Sequence, residues 1–520
     1  MGPLPVPYPM MSARLFLLLA AAVSEVIPVR TQEEFDAFPE KLAQALPEAD
    51  SIRVEFGPGT FFFAEDHLDW QGLDYAGVDV ILSGKDTRLV AADGVGEMPF
   101  SPDDGWVDLE KDTDVSRMGP TRTALFYPVP SLLHRGRFRL RCREPDLSEA
   151  EAADVYVVVT QWFQGALYKV VKISRGVAHL ERVGEHSTAW FTELRFGRCL
   201  PRYRMINHPA DRPEETVHRS LVSTFCRLDG CRLGTFQIEG IHFLGNRAGE
   251  PLLLFKGLQT DSTVVSGCSF EGIRSTVVSC VSSGHVRFRD NAVTRCYRGG
   301  VTTDPASADV RVEGNAFRDM GLALTNAPAV LCKGPEYRIA GNLFEDFAYA
   351  AVGVGTHFKE TEDPVSSGIV EDNEICMTEA FRRKPMRMLI DSGAIYIWTQ
   401  NAGTVIRHNY IHDIEGHHGN RGIFGDDGVL GVHVEDNLVL DVHPSWCIDL
   451  RKRHKVQRMA GSLVEKANVA NRVTGNVVNG RCRLYVRKDD PESYIGENLT
   501  LPAGTSREEA LEIWKQWTGR

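Results

Sequence analysis

None of the 11 cysteines forms a CxxC pair, which excludes the ligand spacing of zinc ribbons and of thioredoxin-like redox sites. An odd number also fits poorly with a fully disulfide-bonded secreted scaffold. Cys268, Cys280, Cys296 and Cys376 instead fall inside strand-like phrases, as small core residues do. Basic charge is short as well: 58 Lys and Arg stand against 70 Asp and Glu, a net −12. A general nucleic-acid binder needs a basic surface to neutralise phosphates, so no nucleic-acid partner is expected. Apolar runs are too short for the roughly 20 residues of a membrane-spanning helix. One of them, Leu15 to Val23, follows Arg14 and carries the small residues Ala20, Ala21 and Ala22. That pattern reads as a signal peptide over residues 1–22 and predicts a secreted or periplasmic protein without a membrane span.

What the sequence has in abundance is a repeated phrase: an apolar residue, any residue, Gly or Asp, usually Asn, any residue, then an apolar residue. It runs from Ile238-Glu-Gly-Ile-His-Phe243 through Val312-Glu-Gly-Asn-Ala-Phe317 and Val370-Glu-Asp-Asn-Glu-Ile375 to Val473-Thr-Gly-Asn-Val-Val478. The fourth position falls at Ile241, Cys268, Asn291, Asn315, Asn342, Asn373, Asn409, Asn437 and Asn476, at intervals of 23 to 39 residues. Such a period marks stacked repeats. Gly or Asp followed by Asn suits a sharp bend, because these residues tolerate left-handed backbone angles. Stacked Asn side chains can bond to one another along the column, and the flanking β-branched and aromatic residues fill a cylinder that no single coil closes. The leucine-rich consensus is absent, and a propeller blade needs a longer period, about 40 residues. The expected fold is all-β, a right-handed parallel β-helix.

The chain divides accordingly. A cap helix and first coils are expected over 28–96, the helix opening on the capping-box pattern Thr31-Gln-Glu-Glu34. The phrase vanishes over 97–213, where alternating segments such as Arg137 to Arg141 and Leu167 to Ile173 predict an inserted β-rich subdomain. The β-helix core is expected over 214–490. A tail over 491–520 carries a second capping box, Ser506-Arg-Glu-Glu509, before a short cap helix expected to pack on the C-terminal end of the solenoid, so that short helices cap both ends.

Chemistry is sought where coils depart from the average, since long insertions in repeat proteins map to one face, often the binding face. Loops near His357 to Ser367 and Thr378 to Leu389 lengthen two coils just before Asp391-Ser-Gly-Ala-Ile-Tyr-Ile-Trp398. Alignment on Asn409 and Asn437 stacks Trp398 over Asp426 and Thr399 over Asp427. The next coil brings Arg451 beside Asp426, and Asp304 continues the line. Neighbouring coils lie about 4.8 Å apart, so these side chains form one strip. Sugar rings present an apolar face that would stack on Trp398, Tyr396 or Trp446, with His357, His417, Arg451 and Asp304 as further contacts. A carboxylate pair can hydrolyse a glycosidic bond. Asp391 has two sets of candidate partners, Glu415 or the pair Asp426 and Asp427. Aspartates in turns, such as Asp304, Asp413, Asp436, Asp441 and Asp449, also cap backbone groups. The basic stretches Arg382 to Arg387 and Arg451 to Lys455 would suit an anionic sugar, whose carboxylate or sulfate fits arginine forks.

The phrases Asp391-Ser-Gly-Ala-Ile-Tyr396, Asn409-Tyr-Ile-His-Asp413 and Gly422-Ile-Phe-Gly-Asp-Asp427-Gly428 resemble those of pectate-lyase-like β-helix enzymes. They are similar in particular to glycoside hydrolases of families 120 (β-xylosidase) and 141 (fucosidase and xylanase). The resemblance covers roughly residues 238 to 480. It implies a glycosidase with two catalytic carboxylates, the aspartate at Asp391 acting as nucleophile or base, a carbohydrate substrate and no cofactor. Two other expectations stay open: a polysaccharide lyase acting on a uronic-acid glycan, which would use a basic residue and often Ca²⁺, and a non-catalytic carbohydrate-binding solenoid.

Overall fold

A computed structural model describes residues 25–63, 66–91, 224–246, 251–273, 275–321, 327–356, 365–382, 392–398, 400–415, 420–426, 429–443, 446–451, 471–484, 494–502 and 504–520, with the backbone of six strands between 107 and 206. The signal-like segment 1–22 lies outside the described residues. No helix among the described residues is long and apolar enough to cross a membrane.

The chain winds into a right-handed parallel β-helix. Each coil carries three short strands. In one coil they are Val310–Glu313, Ala316–Met320 and Val330–Cys332, and each pairs in parallel with its counterparts one coil before and one coil after. The first two ladders merge into a 23-stranded sheet because Asp79–Ala91 and Thr235–Leu244 run through the corner between them, and the third forms an 11-stranded sheet. Strand alternation sorts the side chains: Val310 and Val312 are buried while Arg311 between them is exposed. Phe243, Phe270, Phe288, Phe317 and Phe344 stack down the core with ring centroids 4.9 to 6.2 Å apart. The nine described cysteines are free thiols, eight of them buried; burial pushes the Cys268, Cys280 and Cys296 thiols up to about 12.

The repeated phrase is the corner between the first two ladders. Its third residue has positive φ, at Asp290, Gly314, Gly341, Asp372, His408, Asp436 and Gly475, and at all of these but His408 it is Gly or Asp, which tolerate that conformation best. The following asparagine turns inward and joins a buried ladder. In Asn315, Oδ1 accepts bonds from the backbone and side-chain nitrogens of Asn291, while Nδ2 donates to Phe288 O and to Asn342 Oδ1. The pattern continues through Asn373, Asn409, Asn437 and Asn476 to Asn498. One further coil, Tyr494–Ile495 and Leu499–Thr500, thus extends the stack beyond Val478.

Both capping-box sequences open helices, and Thr31 forms the full reciprocal pair. Thr31 caps Gln32–Ala45 with both bonds of the box, and Phe35, Phe38 and Leu42 bury against the first rungs, Phe35 stacking 5.2 Å from Phe61. Ser506 caps Arg507–Thr518, which lies along the flank of the late coils and not over the C-terminal end, because its apolar face pairs with outward residues of successive coils. There Ala510 and Trp514 cover Leu438, Leu440 and Val477. Trp514 Nε1 donates to Asp436 O at 2.8 Å, and Arg507 and Arg520 reach Asp413 and Asp372. Between the first coils and Cys226, six strands from Val107–Asp108 to Arg202–Ile206 pair with one another in an antiparallel sheet.

Candidate functional site

The outer face of the third ladder carries the strip. Val354, Ile397, Gly425 and Leu450 are in register, so the residues that follow them, Gly355, Trp398, Asp426 and Arg451, form one column. Backbone bonds from Trp398, Asp426 and Arg451 each to the preceding coil keep that register past the strand ends. Two residues earlier a second outward column runs Gly353, Tyr396, Phe424, Asp449, Arg483. Alternation places both columns on the same side.

A buried aromatic cluster underlies the strip, so Tyr396, expected to stack on a sugar, presents its hydroxyl instead of a ring face, and Trp398 is the partly exposed ring of the group. Tyr396 lies 4.7 Å from Trp398, 5.1 Å from Phe424 and 5.3 Å from Tyr349, centroid to centroid. Trp398 fits because the coil before it has Gly353: a Cβ there would meet the indole at 2.6 Å. The indole stays partly exposed.

Charge gathers beside the rings. Tyr396 donates its hydroxyl to Asp426 Oδ2 at 2.7 Å, and Arg451 Nη1 donates to Asp426 Oδ1 at 3.1 Å. Both carboxylate oxygens are therefore held. Asp449 is fully buried and takes bonds from Arg421 at 3.0 Å and Arg483 at 2.6 Å, with Arg451 Nε at 3.5 Å. The Arg421 and Arg451 guanidinium groups also lie 3.9 and 4.6 Å from the centre of the Phe424 ring. A buried carboxylate needs such partners, since desolvation would otherwise neutralise it. Asn420, directly before Arg421, is fully buried, and among the described residues neither its side-chain nitrogen nor its oxygen has a hydrogen-bond partner. Buried unsatisfied groups are rare and mark places where a water or ligand atom belongs.

The structure thus brings Tyr396, Trp398, Asp426 and Arg451 together. Trp446 lies across the same ladder from Arg421, with the Arg483 guanidinium 5.1 Å from the centre of its ring. Glu415 is not with them. It forms a bridge to His443 and an ion pair with Arg382 at 3.9 Å, before the start of Arg421–Gly425, whereas Asp426 follows its end. Five strand residues at about 3.3 Å each separate the two. Asp304 continues the Asp426 column, yet its carboxylate is occupied by the backbone N–H of Ser282 at 3.0 Å and the hydroxyl of Ser307 at 2.7 Å, as a turn cap. Asp391, Asp427, His357 and His417 lie outside the described residues. Asp449, Arg421, Arg483 and Asn420 were not singled out as site residues by the sequence. A signal was present for Asp449, which occupies an outward strand position between the core residues Ile448 and Leu450.

Comparison with protein-family profiles finds no match. Comparison with curated proteins finds none either. Among solved structures the chain is similar to a glycoside hydrolase, at 10% identity and TM-score 0.42, over 80% of this chain and 93% of that one. It is also similar to XylC in complex with xylose, at 8% identity and TM-score 0.42, over 89% and 76% of the two chains. A third is PfbA, a surface adhesin of Streptococcus pneumoniae, at 9% identity and TM-score 0.41, over 86% and 80%. The β-helix assignment itself rests on the strand pairing of this chain.

Proposed function

We propose that the protein is a glycoside hydrolase whose catalytic face is the strip around Asp426. The observation that carries this reading is the company Asp426 keeps: the partly exposed indole of Trp398 in the coil before it, a tyrosine hydroxyl on one oxygen and a guanidinium on the other. Both oxygens accept hydrogen bonds, which suits an anion acting as nucleophile or base and leaves the proton donor to a second carboxylate. Asp427, the next residue in the chain, is the partner of choice, because Ser392, the residue after Asp391, lies before Gly393–Ile397 and so at the opposite end of the strand from the Asp426 column, as Glu415 does.

The test is a panel of aryl glycosides and polysaccharides, followed by Asp426→Asn and Asp427→Asn on whichever substrate is turned over. Each substitution is expected to lower kcat by about 10²-fold or more. Wild-type kcat in Asp426→Asn would sink the assignment. A second reading, a lyase acting on a uronic-acid glycan, is favoured by the partly exposed guanidinium groups of Arg451 and Arg483 beside Asp449, which match an anionic substrate. An unsaturated product absorbing in the ultraviolet distinguishes elimination from hydrolysis. The export read from residues 1–22 belongs to the same proposal, since an extracellular glycan would be met outside the cell.

A further inference from the structure

A second group of side chains, on the outer face of the middle ladder, has the composition of a metal site. In Glu374–Cys376 the central Ile375 points into the core, so Glu374 and Cys376 both face outward. Tyr410–His412 of the next coil lies in register, placing Cys376 opposite His412 and Glu374 opposite Tyr410. One ligand atom from each of Glu374, Cys376 and His412 lies within 4.8 Å of the other two. The ring of His412 is fixed: it stacks on Tyr410 at 4.3 Å, Nδ1 meets Asp413 Oδ2 at 2.8 Å, and Nε2 faces Glu374 Oε1 at 3.3 Å. A carboxylate on one ring nitrogen, with the other turned to a carboxylate and a thiol, is how proteins orient metal-ligating histidines. Asp413 is anchored in turn by Arg507 at 2.7 Å and Arg382 at 3.6 Å. Cys376 and His412 are buried while the Glu374 side chain is about half exposed, so one side of the group opens to solvent.

We propose that Glu374, Cys376 and His412 bind one zinc-class divalent transition ion across two adjacent coils, with Asp413 positioning His412. The ligand set decides the class. Sulfur and imidazole nitrogen favour Zn²⁺ and its neighbours over Ca²⁺ or Mg²⁺, which take oxygen. Three protein ligands with an open side leave the fourth tetrahedral position to water. The site is independent of the carbohydrate reading, because its ligands lie on a different ladder from Asp426. Its effect on the fold would be to tie two rungs together immediately before the short helix Glu379–Arg382.

The full chain, stripped with EDTA and dialysed against Zn²⁺, should retain one equivalent by elemental analysis. With Co²⁺ it should give a thiolate-to-cobalt charge-transfer band that disappears in Cys376→Ser. Glu374→Gln, at an exposed side chain that folding does not need, should weaken binding while keeping the band. Asp413→Asn should lower affinity about 10- to 100-fold, again with the band retained, as expected of a residue that acts through His412. Retention of no Zn²⁺ by the wild type overturns the proposal. So does a charge-transfer band that persists in Cys376→Ser, and if that variant fails to fold, unchanged affinity in Glu374→Gln does so instead. Any of these three results would leave the cluster as a histidine held between two carboxylates.

Discussion

Substitution of Asn342 by alanine tests the physical basis of the coil. Asn342 is 2% exposed. Its Oδ1 accepts the backbone and side-chain nitrogens of Asn315, both at 2.9 Å, and its Nδ2 donates to Val312 O and Asn373 Oδ1, also at 2.9 Å. Alanine removes all four bonds. Asn373 Oδ1 keeps the backbone N–H of residue 342, but the Asn315 N–H, one Asn315 side-chain hydrogen and Val312 O are left without partners in a dry interior. At about 1 kcal/mol net for each lost bond, the loss is about 4 kcal/mol. Asn498 provides the internal control. It takes the same two bonds from Asn476 but sits half-buried at the last coil described, where water can replace them, so Asn498→Ala should cost about 1 kcal/mol. Urea unfolding followed by tryptophan fluorescence gives the comparison. Amide exchange at Asn315 localises it, which matters because long repeat arrays need not unfold in two states. Should Asn342→Ala cost no more than Asn498→Ala, with exchange at Asn315 unchanged, the ladder would not be what satisfies the corner.

Two further expectations concern charge. Asp449→Ala withdraws the buried carboxylate shared by Arg421, Arg451 and Arg483, and about 3 to 5 kcal/mol of stability should go with it, read from the same urea titration; a loss below 1 kcal/mol would mean that the arginines are satisfied without it. His67 stacks on Phe35 at 4.2 Å and its Nε2 lies 3.2 Å from Phe35 O. Burial holds its pKa down to about 4 from the ordinary 6.5, against the opposing pull of that carbonyl. Between those values the unfolded chain takes up a proton that the folded chain refuses, so stability is full above pH 6.5 and declines as pH falls toward 4. Replacing His67 with Gln should flatten that part of the stability profile, and an identical slope in the variant would refute the assignment to His67.

The coil was legible because it rests on two local demands that sequence states openly: a residue tolerant of positive φ, and an amide that can bond in both directions. Where one demand relaxes, legibility fails. The last coil does not carry the phrase, since Glu497 stands where Gly or Asp is usual and Thr500 where an apolar residue is usual, although Asn498 still joins the ladder. The column of Trp398, Asp426 and Arg451 was readable for a related reason, since core residues such as Ile397, Gly425 and Leu450 set the register and the residues after them must follow. The cluster around Asp449 was harder. An aspartate near a turn reads as a cap, and only the convergence of arginines from three different coils, at positions 421, 451 and 483, separates it from one. Nothing local in the sequence announces such a meeting. The same applies to Cys376 and His412, which sit 36 residues apart in the chain by the interval between their coils' asparagines, yet side by side in the sheet.

The asparagine ladder also bears on how such a protein can change. All its amides point the same way, each coil donating to the next, and the link is the same whether the chain between two asparagines is 22 residues long or 39. The loops therefore behave as exchangeable cassettes hung on a frame of constant pitch. A segment could be lengthened, trimmed or swapped between two asparagines without breaking the polarity of the column. New specificities on this frame would then arise by replacing loops above an unaltered floor of rungs, and a chimera that trades one whole interval for another is the natural unit for engineering it.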